Sequence, residues 1–369
     1  MSYTSISQLK LNNFRNHSSK NFLFDAKIIA IFGQNGVGKT NILEAISLLN
    51  KGQGLKGAEF DEMISHENSE QNFAIYSSLK NHPEIENIGT SYSKIESKKI
   101  FQINHKVLTS RSSYKFFPAI IWLTPQMDNL FCSSKTIRRK FLDKIVADID
   151  PAHNSRINAY NHSLRERISL LNRFGNKENW LEIIERKIAE LGTAIASARN
   201  ETISYLNQTI LQGGDNFTKA QIKIIGELED LATQHKAIEV EEKFIQKLKE
   251  NRAIDAKVGR TMFGVHRSDF TAVLLSKKIE AKLCSTGEQK SILIAITFAR
   301  VRLFSLLNLP TAILLLDEII SHLDNQKRSE LMQEIATLDC QSFLTATNQS
   351  FFNDLCHFDQ ETVTFLGIS

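Results

Sequence analysis

The sequence predicts an α/β fold whose sheet-rich part is assembled from both ends of the chain, with a mostly helical lobe inserted between them. Three observations lead there. Residues 1–123 read as short apolar runs separated by turns, the apolar period turns helical over about 135–212, and strand-like runs return after Val258. One split domain with an insertion accounts for that order more simply than three independent domains. The expected division is 1–123 plus 261–369 for the sheet-rich head and 124–260 for the lobe.

Taken in order, the first part offers strands around Ile6, Leu9 and Leu11, then at 27–32, 73–79, 99–103 and 119–123, with one helix after Gly38. In the insert, Leu164, Ile168 and Leu171 share one helical face. Trp180, Ile183, Ile184, Ile188, Leu191 and Ile195 keep three-to-four spacing. Residues 180–212 therefore predict a helical arm of roughly 50 Å, at about 1.5 Å per residue. Gly213-Gly214 closes it. The last part offers strands at 271–275, 312–316 and 341–346 and a strong helix over 288–306.

The 369 residues are 42% hydrophobic and 23% charged, enough apolar material for a real core and unlike a disordered chain. Lysine and arginine number 45 against 41 acidic residues, so a net charge of +4 permits a polyanionic partner without requiring one. Cys132, Cys284, Cys340 and Cys356 form no CxxC pair, which argues against a zinc site or a disulfide framework. The opening residues lack a signal-peptide core, and the apolar run at 312–316 is stopped by Asp317-Glu318. A soluble, reduced, cytoplasmic protein without a membrane partner is expected.

Gly33-Gln34-Asn35-Gly36-Val37-Gly38-Lys39-Thr40 fits the P-loop pattern G-x-x-x-x-G-K-[ST], with Ile28-Ile29-Ala30-Ile31-Phe32 as the strand before it and a helix beginning at Asn41. The glycines free backbone N–H groups to wrap phosphates where the helix dipole favours negative charge. Lys39 is expected on the β and γ phosphates of ATP and Thr40 on Mg²⁺.

Ala312-Ile313-Leu314-Leu315-Leu316-Asp317-Glu318 reads as a buried parallel strand ending in two carboxylates, a Walker B pattern. Asp317 is then a metal ligand, and Glu318 polarises the attacking water as general base.

Cys284-Ser285-Thr286-Gly287-Glu288-Gln289-Lys290 begins a long helix and places Ser285 32 residues before Asp317. It resembles the signature loop Leu-Ser-Gly-Gly-Gln of ATP-binding-cassette ATPases, although Ser-x-Gly-Glu is also an ordinary helix cap. The resemblance implies an ABC-type P-loop ATPase head, with Ser285 and Gly287 meeting the γ-phosphate held by a partner subunit. Ser321-His322-Leu323-Asp324 stands where that family has its D-loop, with His322 a surface side chain on the plainer reading. Thr345-Ala346-Thr347-Asn348 stands at the switch, with Thr347 or Asn348 in place of the usual histidine. A transporter ATPase has a much shorter P-loop-to-signature gap. A GTPase needs an aspartate that Asn176-Lys177-Glu178-Asn179 lacks, and a cohesin-type arm is far longer than this insert.

Leu9-Lys10-Leu11-Asn12-Asn13-Phe14-Arg15-Asn16, Pro125-Gln126-Met127-Asp128-Asn129-Leu130, Arg138-Arg139-Lys140-Phe141-Leu142-Asp143, Arg165-Glu166-Arg167 with Leu170-Leu171-Asn172, and Gly264-Val265-His266-Arg267-Ser268-Asp269 extend the match. Together they resemble the RecF family of bacterial recombination mediators, from Leu9 to about Asn348. Val265 and Ser268 depart from the family's Gly-Pro-His-Arg-Asp-Asp, and Gln126 replaces an acidic residue. Gln126 is a candidate Q-loop glutamine, grouped with Thr40 and Asp317 at the metal.

The resemblance implies an ATP-dependent DNA-binding factor at single-strand gaps, acting on double- and single-stranded DNA. With RecO and RecR it would promote RecA loading and the SOS response, with a weak DNA-stimulated ATPase as release switch. If P-loop and signature lie on opposite faces of a head, nucleotide contacts are completed only in an ATP-dependent homodimer. Arg15, Arg111, Arg138, Arg139 and Lys140 are candidate DNA-phosphate contacts, or solvated charges, with Arg138-Arg139 alternatively paired to Asp143 or Asp148. A non-hydrolytic ATP-binding DNA scaffold is the competing reading. A small-molecule phosphotransferase would need an acceptor site that the sequence does not offer.

Overall fold

The computed structural model describes residues 3–50, 52–65, 71–108, 118–172, 178–214 and 217–368. Arg111 and the His322 side chain lie outside the described residues. The chain forms two compact units: Met1–Asp128, Gly213–Phe217 and Leu293–Ser369 make the first, and Asn129–Gln212 with Thr218–Ile292 makes the second.

The first unit opens with β1 (Ser5–Phe14), β2 (His17–Leu23), β3 (Ile28–Phe32) and α1 (Lys39–Ser47). It continues through β4 (Asn72–Lys80), β5 (Asn87–Ser93), β6 (Lys98–Ile103), β7 (Lys106–Val107) and β8 (Ile120–Leu123). The second unit supplies α2 (Lys135–Ile149), α3 (His153–Leu171), α4 (Glu178–Leu211), β9 (Ala220–Ile225), α5 (Glu227–Gln234), α6 (Ala237–Glu250), α7 (Arg252–Val258), β10 (Asp269–Leu274) and β11 (Ile279–Glu280). Helix α8 (Thr286–Leu306) leads back to β12 (Ile313–Leu316), α9 (Asn325–Thr337), β13 (Gln341–Ala346) and β14 (Val363–Gly367).

In the first unit an antiparallel sheet runs β2-β1-β4-β5-β6-β7 and a parallel sheet runs β14-β3-β13-β12-β8. The parallel strands are continuous apolar runs because both of their faces are covered, and every residue of β12 and β13 is buried. Ile42, Leu43 and Ile46 of α1 share one core with Leu9 and Phe14 of β1 and with Leu315 and Phe343 of the parallel sheet. Large side chains buried this way contribute about 1.5–3 kcal/mol each. Register then fixes the site. Phe32 pairs with Ala346, and Leu316 pairs with Leu344 and Leu123, so the residues that follow these strands emerge along one carboxyl edge.

In the second unit, α4 matches the predicted arm to within two residues at its start, and its buried face keeps Ile184, Ile188 and Ile195 of the predicted one but not its first two members. Trp180 and Ile183 are 61% and 58% exposed, whereas Ile184, Ile188, Ala189, Gly192, Ile195 and Arg199 are buried. The core there joins α4 to Tyr160, Leu228, Phe244 and Phe263. Arg167 is fully buried and gives Nε to Glu185 at 3.0 Å and Nη1 to Asp255 at 2.7 Å. The segment 261–292, assigned to the head from its strand pattern, clusters instead with the helical unit. The reason is pairing: each residue of β10 is matched to one of β9, from Asp269 with Ile225 to Leu274 with Ala220. No helix among the described residues is long and apolar enough to cross a membrane.

Candidate nucleotide site

The P-loop follows β3 and opens α1. Gly36 and Gly38 have φ of 87° and 106°, a region that L side chains rarely enter. A Cβ on Gly38 would also lie 2.7 Å from Asn16 Nδ2 and 3.0 Å from the His17 ring, so only glycine fits. Lys39 is 3% exposed, and its ammonium donates to the carbonyls of Gly33 at 2.8 Å and Gln34 at 2.9 Å. Gln34, Asn35 and Gly36 form the exposed rim, with Val37 half-buried behind them. The β1–β2 turn braces the loop. Asn16 Nδ2 donates to the Val37 carbonyl at 3.1 Å, and Asn41 Nδ2 donates to Asn16 Oδ1 at 2.8 Å. This brace was missed in the sequence, where Asn16 stood only as the end of a family motif.

Across the edge, Thr40 Oγ1 donates to Asp317 Oδ1 at 2.9 Å, and Thr345 Oγ1 donates to the same oxygen at 2.8 Å. Burial, and then the charge of Glu318, hold the Asp317 carboxyl above its usual range, against the pull of the two threonine hydroxyls. Glu318 has φ 53°, left-handed for a residue with a side chain, and its amide donates to Thr345 Oγ1 at 2.9 Å. Thr40 and Asp317 form the all-oxygen set that suits Mg²⁺, which takes one or two protein oxygens and completes its shell with phosphates and water. Thr345, two residues before Thr347, is therefore the part of the switch stretch that touches the carboxylate. Asn348 is occupied locally, accepting from the Ser350 amide at 3.0 Å. Gln126 is exposed in the turn Pro125–Met127, three residues past the end of β8.

Ser285 belongs to the second unit and the cap reading holds for it. Its amide and hydroxyl both donate to Glu288 Oε2 at 2.9 Å, and the Glu288 amide donates to Ser285 Oγ at 3.3 Å. The Lys277 ammonium, 2.5 Å from Glu288, and these bonds from Ser285 bring the Glu288 carboxyl down to about 2. Ser285 stays exposed and Gly287 half-buried at the start of α8, so the cap leaves the loop accessible. Asp324 caps α9 by accepting from the Lys327 amide at 2.9 Å.

The basic candidates divide. Arg15 grips buried Glu44 through Nε at 2.9 Å and Nη2 at 2.7 Å, and Arg138 grips Asp269 through Nε at 2.8 Å and Nη2 at 2.7 Å. Both guanidinium groups are committed to structure. Arg138 pairs with neither Asp143 nor Asp148 as the sequence allowed, because Asp143 is taken by Arg199 and His153. Arg139 donates to the Ser268 carbonyl at 2.8 Å, and Lys140 is exposed.

With this geometry in hand, the comparisons are specific. The AAA domain family matches residues 8–339. The DNA replication and repair protein RecF of Mesorhizobium japonicum is 38% identical over 356 residues, covering 95% of this chain and 94% of that protein. The chain belongs to the RecF family. Another RecF, from Rickettsia typhi, is 38% identical over 92% of this chain and 93% of its own length. The recombination mediator protein RecF in the RecFOR pathway, solved as RecF-ATPrS, superposes with a TM-score of 0.81 at 24% identity, covering 95% of this chain and 94% of that one. The fold is thus the ABC-type ATPase fold of RecF, and the chain is an ATP-binding ATPase of that family.

Proposed function

We propose that this RecF-family chain is an ATP-gated DNA clamp of replication and recombinational repair. Two copies close on DNA at single-strand gaps when ATP is bound and release it after slow hydrolysis. The observation that carries the reading is the meeting of Thr40 and Asp317, 277 residues apart, at the mouth of the P-loop. The P-loop amides from Gly33 to Asn41 wrap the phosphates, and the Lys39 ammonium exchanges its carbonyl partners for phosphate oxygens. Thr40 and Asp317 would hold Mg²⁺, with Gln126 as the third candidate ligand. When bound, the ion neutralises charge on the β and γ phosphates.

Glu318, fixed by Thr345 through its amide, accepts the proton of the attacking water. Ser285 and Gly287 of one copy meet the nucleotide of the other, so ATP joins the two. The dimer doubles every basic surface and lets its phosphate contacts add. RecO and RecR are the partners in RecA loading and SOS induction, DNA stimulates turnover, and the protein works in the cytoplasm. The family relationship supports these assignments.

Sedimentation of wild type, Lys39→Met and Glu318→Gln with ATP and gapped duplex tests the proposal. Wild type dimerises with ATP, Lys39→Met stays monomeric, and Glu318→Gln stays dimeric on DNA without turnover. A wild type that remains monomeric with ATP and DNA removes the clamp. Turnover and DNA release unchanged in Glu318→Gln remove the hydrolytic switch in favour of a non-hydrolytic scaffold.

A further inference from the structure

A cavity of about 210 Å³ opens in the second unit, bounded by α2, α3, α4 and the segment around His266. By the same measure a single water needs only roughly 15 Å³, so the space holds a small molecule or group. Its wall carries the cations Arg139, Lys140 and Arg199 and a single carboxylate, Asp143.

That carboxylate is already used. Asp143 Oδ1 receives Arg199 Nε at 2.8 Å and His153 Nε2 at 3.0 Å, and Oδ2 receives Arg199 Nη2 at 2.9 Å. Arg199 gives Nη1 to Glu229 at 2.8 Å and to the Val265 carbonyl at 2.9 Å, so its charge is matched. Arg139 and Lys140 are not matched: neither makes an ion pair with a carboxylate among the described residues. Arg139 is half-buried and bonds only neutral oxygens, the Ser268 carbonyl and the Thr136 hydroxyl. Burial, and then the nearby Arg199, lower its guanidinium from the usual value against the more distant charges of Asp143 and Asp269. A half-buried guanidinium with no carboxylate bonded to it gains from an anion that joins it.

We propose that this cavity binds a phosphomonoester group through Arg139 and Lys140. Two unmatched cations suit the roughly −1.5 to −2 charge of such a group near neutral pH, and a guanidinium fork grips two of its oxygens at once. A phosphodiester inside a duplex carries a single negative charge and chain on both sides, so a terminal or free monoester suits two cations at a recessed site better. The group therefore comes from a small phosphate ester or from the phosphorylated end of a nucleic-acid strand.

The test uses the full chain saturated with a non-hydrolysable ATP analogue, so that the P-loop is filled, and titrates inorganic phosphate by calorimetry. Wild type takes up phosphate, and Lys140→Glu and Arg139→Gln each weaken it about tenfold or more, the scale of one charge-assisted hydrogen bond. Affinity for the ATP analogue does not change. Lys140 is exposed and unpaired, so its variant folds. In the same assay, a preference for duplex with phosphorylated over hydroxyl ends, abolished by Lys140→Glu, assigns the group to a strand end. Uptake of AMP without that preference assigns it to a small ester. No phosphate uptake by the nucleotide-filled wild type, or unchanged uptake by both variants, overturns the proposal. Neither result bears on the ATP clamp, which Lys39 and Glu318 test separately.

Discussion

Thr345 donates its hydroxyl hydrogen to Asp317 at 2.8 Å, inside the parallel sheet, where both side chains are buried. The same oxygen accepts from the Glu318 amide at 2.9 Å, so one hydroxyl orients both residues at the end of β12. Thr345→Val keeps the shape and removes both bonds. The Glu318 N–H then loses its acceptor, and a buried donor left unsatisfied costs about 1–3 kcal/mol. Because the hydroxyl holds the backbone of Glu318, the proposed base, ATP turnover should fall well beyond any change in ATP affinity. Single-turnover hydrolysis with calorimetric ATP binding separates the two, and equal turnover in variant and wild type removes Thr345 from the site.

Lys39 is held by two carbonyls, and in the proposed mechanism its ammonium moves to the phosphates of ATP. Lys39→Met retains the length but loses the charge and three donors. ATP affinity should drop about tenfold or more, the scale of a lost charged hydrogen bond, while the unfolding midpoint changes little. An ATP titration that superposes on wild type rules out phosphate contact by Lys39.

The parts legible in sequence were those with one-dimensional signals. Glycine spacing gave the tight loop between β3 and α1, the unbroken apolar run gave β12, and three-to-four spacing gave α4. The Thr345–Asp317 bond was hidden because it joins strands 28 residues apart through a threonine that looks like ordinary strand filler. Strand β9 was hidden as well: six alternating residues after a Gly-Gly gain their identity only from pairing with β10. Of the face expected for α4, Ile184, Ile188 and Ile195 lie inside, but Trp180 lies outside and the charged Arg199 and Glu185 share the buried side. Periodicity counts apolar residues and cannot see paired charges.

Arg167 illustrates what such pairs do for stability. Its side chain is wholly buried with Glu185 and Asp255, and Nη2 also donates to the Leu248 carbonyl at 2.6 Å. Arg167→Met leaves Asp255 without a cation in the core of the second unit, while Glu185 keeps Arg252 at 2.6 Å, and the uncompensated charge costs about 3–5 kcal/mol. Urea denaturation should show that loss in its midpoint. A midpoint unmoved by the substitution denies the ion network any structural role.

Gly192 lies mid-helix, where alanine normally gains about 1 kcal/mol. Here a Cβ would stand 2.6 Å from Phe244 Cε1 and 3.1 Å from Tyr160 Cε2, both buried rings. Overpacking of that kind costs about 1–3 kcal/mol and exceeds the helical gain. Gly192→Ala should therefore lower the thermal midpoint. A stabilised variant would mean that α6 shifts to make room.

Burial holds the His266 imidazole below its usual value of 6.5, with Arg267 and Arg139 adding to the effect and the Thr261 carbonyl and Asp255 opposing it. Nε2 lies 2.8 Å from the Thr261 carbonyl, so it carries the proton, and Nδ1 accepts from the Tyr160 hydroxyl at 3.0 Å. The folded state thus prefers the neutral ring. On acidification the unfolded chain gains its proton first, so stability is complete above the unfolded value and declines as pH falls below it. His17, also lowered mainly by burial, acts in the same direction. Urea midpoints should fall between about pH 7 and pH 5, the window of the free imidazole. His266→Asn removes one titrating ring and leaves His17, so its decline should be shallower than that of wild type without vanishing. Identical slopes for variant and wild type would show that His266 takes up no fewer protons folded than unfolded, and the neutral-ring assignment would fall.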